Sequence, residues 1–98
     1  MTDTADLPKD FPPASFETLI DLLAGQAAHT LGLIPGPDGK TQKQPQVARH
    51  LIDLLSVVEE KTRRNLTGHE HQYLAAALHS LQTAYLNVMK QEITGAHA

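Results

Sequence analysis

Six histidines stand in a chain of 98 residues, and His69-Glu70-His71 is their densest group. Imidazole and carboxylate together are the usual makings of a zinc site. Residues two apart on a helix point about 200° apart, so His69 and His71 cannot grip one ion without distorting a turn. His79 shares the face of His71 but sits about 12 Å further along the axis. The chain holds neither His-Glu-x-x-His nor Glu-x-x-His, the spacings by which helices present zinc or di-iron ligands. No metal and no cofactor is expected, and these histidines read as solvated or capping groups.

A second constellation surrounds Asp53. His50 lies three residues before it and Arg49 four, spacings that bring side chains together on one helix face. A His–Asp pair can move protons, so an enzyme working through a His50/Asp53 cluster is one reading. No Ser or Cys nucleophile is tied to the pair by spacing, and such pairs are common on ordinary helix surfaces. Gly36-Pro37-Asp38-Gly39-Lys40-Thr41 ends like a phosphate-binding loop, but has two residues between its glycines where that loop needs four. It reads as a turn.

Lys61, Arg63 and Arg64 precede a short turn, an arrangement compatible with a helix-turn-helix contact to DNA phosphates. The helix that would enter the groove begins Gly68-His69-Glu70-His71-Gln72, and from residue 68 onward Lys90 is the single Lys or Arg. With a net charge of −3 the chain has the wrong sign for binding through phosphates. Nucleic-acid binding therefore stands behind protein interaction, as the alternative to it.

The elements that carry these residues are helical. Hydrophobic residues make up 41% and charged residues 19%, a globular composition, and the length suits one small domain. The absence of cysteine excludes disulfides and thiol chemistry. The N-terminus carries acids where a secretion signal carries Lys or Arg, and no apolar run approaches the roughly 20 residues needed to cross a bilayer. A cytoplasmic location without a membrane partner is expected.

Residues 1–14, with Pro8, Pro12 and Pro13, read as a flexible acidic lead-in, and 15–95 as the folded domain. Ser15 offers an N-cap, and Phe16, Leu19, Ile20, Leu23, Ala27 and Leu31 recur at helical spacing up to Gly32, predicting a helix over about 15–31. Residues 32–44 are dense in turn formers, with Leu33 and Ile34 expected to pin the connection onto the bundle. Pro45 opens a second helix over about 45–64, whose core face is expected to hold Val47, Leu51, Leu54, Leu55 and Val58. Asn65 is expected to take the left-handed cap. Thr67-Gly68-His69-Glu70 is a capping box, and Leu74, Leu78, Leu81, Tyr85 and Val88 line a third helix over about 68–94. Nothing alternates as a strand does, so the fold class is all-α: helix one, a long loop, then a helical hairpin, with no sheet.

Phe16-x-x-Leu19-Ile20 with Leu23-Ala24-x-Gln26-Ala27, Leu31-Gly32, Ala48-Arg49-x-x-Ile52-Asp53-x-Leu55, Glu60-Lys61-Thr62-x-x-Asn65-Leu66-Thr67 and Tyr85 together resemble a family of short bacterial proteins, domain of unknown function eighteen-forty-four. The resemblance covers about residues 15–88 and is densest over Glu60–Thr67. Members usually carry Gly in place of Arg64 and an Arg near Gln82, so this chain departs at both points. The family has no assigned activity. The resemblance implies a small helical cytoplasmic fold and offers Arg49, Asp53, Lys61, Thr62, Asn65 and Thr67 as a polar and turn cluster without assigning catalysis to any of them.

Apolar surface remains after the core stripes are assigned. Ile52 and Val57 fall on opposite flanks of the second helix, while Leu22 and Leu86 lie off the main stripes of the first and third. A domain of this size buries only about 60% of its surface and is marginal alone. Self-association through Leu22, Ile52, Val57 and Leu86 is expected, giving a homodimer or a module for a protein partner of unknown identity.

Overall fold

The computed structural model describes residues 8–41 and 43–95. Among them are three helices and no strand: α1 Phe16–Thr30, α2 Pro45–Thr62 and α3 Gly68–Gly95. Residues 1–7 of the expected lead-in lie outside the described residues. α1 begins as its sequence requires, with the Ser15 hydroxyl accepting from the Thr18 N–H at 3.1 Å. It ends in a Schellman motif: the Leu33 N–H donates to Ala28 O and the Gly32 N–H to His29 O, each at 3.0 Å. Gly32 has φ 80, a conformation that costs glycine nothing.

The connection between α1 and α2 is held by backbone rather than by apolar anchors. Leu33 and Ile34, expected to pin it, are exposed. Instead the Gln44 N–H donates to Thr30 O at 2.7 Å, clamping the two helix ends together and making the helices antiparallel neighbours. His29 Nδ1 lies 3.3 Å from Ile34 O, and its ring lies so close to Gly36 that a Cβ there would come within 2.6 Å of Cε1. A side chain at 36 would displace the imidazole.

Pro45 occupies the first turn of α2, where its missing N–H is no loss. The helix stops at Thr62, two residues before the expected end. Arg63 (φ −53, ψ 132) and Arg64 (φ 77) form the centre of a type II turn closed by the Asn65 N–H on Thr62 O at 2.9 Å. The left-handed residue is thus Arg64 rather than Asn65, and it is the position at which the resemblance places Gly. The capping box then forms as expected. The Glu70 N–H donates to Thr67 Oγ1 at 3.1 Å, and the Thr67 N–H donates to Glu70 Oε1 at 2.9 Å.

Ile20, Ala27, Leu31, Ala48, Ile52, Leu55, Leu74, Leu78, Leu81 and Val88 make the core. The α3 stripe is as the spacing predicts, with Tyr85 half-buried at its edge. The α2 stripe is not. Val47 and Leu54, expected inside, are exposed, and Ile52, expected on an exposed flank and in the interaction set, is 4% exposed. Because α2 packs against α1 and α3 together, its buried face points between them. That direction is centred on Ala48, Ile52 and Leu55, and the methyl of Ala48 leaves little to hold the helices apart.

Candidate functional site

Arg49 and Asp53 stand one turn apart on α2 and form an ion pair, Nε to Oδ1 3.3 Å, with both side chains largely in solvent. Across the hairpin, the Arg49 guanidinium carbon lies 5.8 Å from the centroid of the Tyr85 ring, within cation–π range. Contact with the Tyr85 side chain, and then with the Asp53 carboxylate, raises the Arg49 pKa further above its ordinary value. Gln82 and Leu86 from α3 and Ile52 from α2 complete an open groove of about 360 Å³ around this pair. Arg49 is thus a fixed cation, braced by an aromatic face, with donor and acceptor groups beside an apolar wall.

The sequence cluster of Arg49, Asp53, Lys61, Thr62, Asn65 and Thr67 is split by the structure. Asp53 and Lys61 are eight residues apart on one helix, about 12 Å along its axis. Thr62 Oγ1 donates to Val58 O at 2.7 Å, while Asn65 and Thr67 close the turn and cap α3. These three have structural tasks. A second hollow, of about 420 Å³, lies at that turn and is lined by Glu59, Arg63, Arg64, Leu66, Thr67, Gly68 and His71. Its two arginines are accompanied by an acid, so it is less positive than the Lys61-Thr62-Arg63-Arg64 run suggests. His50 is exposed on α2, and the partner that Asp53 takes is Arg49.

A polar seam that spacing within the chain could not reveal joins α1 to α3. The Tyr73 hydroxyl donates to Asp21 Oδ1, a partner 52 residues away in sequence. His69 Nε2 lies 3.4 Å from Glu17 Oε2, and the His69 and Tyr73 rings are 6.1 Å apart. His69 thus faces Glu17 on α1. Among the described residues no group of three His, Cys, Asp or Glu could hold a metal. No helix among them is long and apolar enough to cross a membrane.

Three helices with a short hairpin between the second and third define a small all-α protein. Residues 13–87 match the model of the family described as Domain of unknown function (DUF1844), and the chain belongs to that family. No curated protein matches it, and no solved structure does.

Proposed function

We propose that this chain is a small cytoplasmic helical interaction module that self-associates as a homodimer. The observation that carries the reading is the exposure of large apolar side chains on the regular helices: Leu22 61%, Val57 50% and Leu86 64%. These are three of the four residues that composition and wheel geometry single out for association. The fourth, Ile52, serves the core. Single exposed apolar residues are ordinary, but Leu19, Val47, Leu54 and Ile93 are exposed as well, and a 98-residue three-helix core has little stability to spare.

Sedimentation equilibrium at micromolar concentration tests the reading. A dimer mass that persists from 50 mM to 500 mM NaCl supports it, because apolar association does not weaken with salt. A monomer mass throughout sinks it. The nucleic-acid reading, resting on Lys61, Arg63 and Arg64, makes the opposite prediction: binding to duplex DNA at low salt that falls steeply as salt is raised.

A further inference from the structure

We propose that the second copy docks on the outer face of the α1–α2 pair, with the two α2 helices antiparallel, so that four helices meet across a two-fold axis. The inference rests on the self-association reading and names its surface. On α2, Val47, His50, Leu54, Val57 and Lys61 are spaced three, four, three and four, and all five are exposed. At 100° per residue they fall within about 80° of one another, roughly 150° from the centre of the buried stripe of Ala48, Ile52 and Leu55. A second stripe with a heptad-like period, pointing away from the protein's own core, is the pattern by which one helix packs on another.

α1 repeats the device. Leu19, Leu22 and Gln26 are exposed and spaced three and four. Glu17 and Asp21, which meet α3 through His69 and Tyr73, lie on the opposite flank of the helix. On α2 the residue braced by α3 is Arg49, and Val47 and Leu54 lie away from it. The two outward stripes therefore border one face, floored by the half-buried Leu23, Leu51 and Val58.

Charge argues for a second copy and for its direction. Lys61 is the single Lys, Arg, Asp or Glu among the outward stripe residues, although each chain carries a net charge of −3. The face thus brings no acids together when two like-charged copies meet, and depletion of charge is the compositional mark of interface centres. Parallel α2 helices would stack Lys61 on Lys61 in one layer. Antiparallel helices centred on Leu54 hold them about 20 Å apart, beyond the screening length of physiological salt.

The size of the face bears on whether a specific dimer can form. α1 and α2 are about 22 and 27 Å long and together about 20 Å wide, a projected face of roughly 500 Å² per copy. About 1,000 Å² in total lies at the lower limit for a specific interface. A reversible dimer is the expected result.

Sedimentation equilibrium with circular dichroism on Leu22→Glu, Leu54→Glu and Leu86→Glu tests the face. All three positions are exposed, so helical content should persist. Leu22→Glu and Leu54→Glu should each raise the dissociation constant on the order of 100-fold by burying an unpaired charge. Leu86 is singled out for self-association by its exposure, but it lines the Arg49–Tyr85 groove on α3 and the α1–α2 face leaves it out, so Leu86→Glu should leave the constant unchanged. Dissociation by Leu86→Glu alone would overturn the α1–α2 face while leaving self-association standing, whereas a monomeric wild type would overturn both. The chain lacks cysteine, so single introduced thiols report direction. Leu54→Cys should oxidise to a covalent dimer and Lys61→Cys should not; a covalent dimer formed by Lys61→Cys, with or without one formed by Leu54→Cys, would overturn the antiparallel arrangement.

Discussion

The Tyr73 hydroxyl donates to the Asp21 carboxylate, joining the middle of α1 to the N-terminal turns of α3 across 52 residues of sequence. This bond, followed by burial and the charges of Asp21 and Glu17, raises the Tyr73 pKa above its ordinary value. The folded protein therefore holds the phenolic proton more tightly than the unfolded chain does. The stabilisation is complete below the ordinary tyrosine pKa of about 10 and is lost as pH rises through the higher folded value. In thermal melts the wild type should lose more stability between pH 9 and 11 than Tyr73→Phe. Parallel pH profiles for the two proteins would show that the bond does not persist in solution.

Thr67→Ala removes the oxygen that accepts from the Glu70 N–H and should cost about 1 kcal/mol. Glu70→Ala should cost less, because the Thr67 N–H it releases belongs to an exposed residue and can turn to water. Urea unfolding measures both. Equal midpoints for Thr67→Ala and wild type would show that the cap contributes nothing.

Arg64→Gly should stabilise the hairpin. The third residue of a type II turn needs positive φ, and Arg64 holds φ 77 with a Cβ that disfavours it. Glycine removes that strain but loses more entropy on folding, leaving an expected gain of about 0.5–1 kcal/mol. A lower urea midpoint would mean that the Arg64 side chain makes a contact in its hollow beside Glu59 and His71 worth more than the strain.

Gly36→Ala should cost about 1 kcal/mol, since its Cβ would meet His29 Cε1 at 2.6 Å and the ring must give up Ile34 O to make room. In a His29→Ala background the same substitution should cost nothing. A double-mutant cycle by urea unfolding reads the coupling, and simple additivity would disprove the contact.

The helices, their order and most of their caps were legible in the residues alone. Ser15, Gly32, Pro45, Thr67 and Glu70 act on backbone groups within four residues of themselves, so no distant element can change what they do. The α3 stripe was legible too, because its leucines leave one choice of buried face. α2 offers two, one through Val47 and Leu54 and one through Ala48 and Ile52, and its own period cannot choose between them. The choice belongs to α1 and α3, which both press on α2 and turn its Ala48 side inward, sending Ile52 into the core and leaving Val57 outside. The left-handed residue moved from Asn65 to Arg64 because the hairpin geometry, and not the preference of either side chain, selects where the chain reverses. Asp21 with Tyr73, Glu17 with His69 and Arg49 with Tyr85 meet only through packing, since contacts between helices depend on crossing and register, which are properties of the assembled bundle and of no single segment.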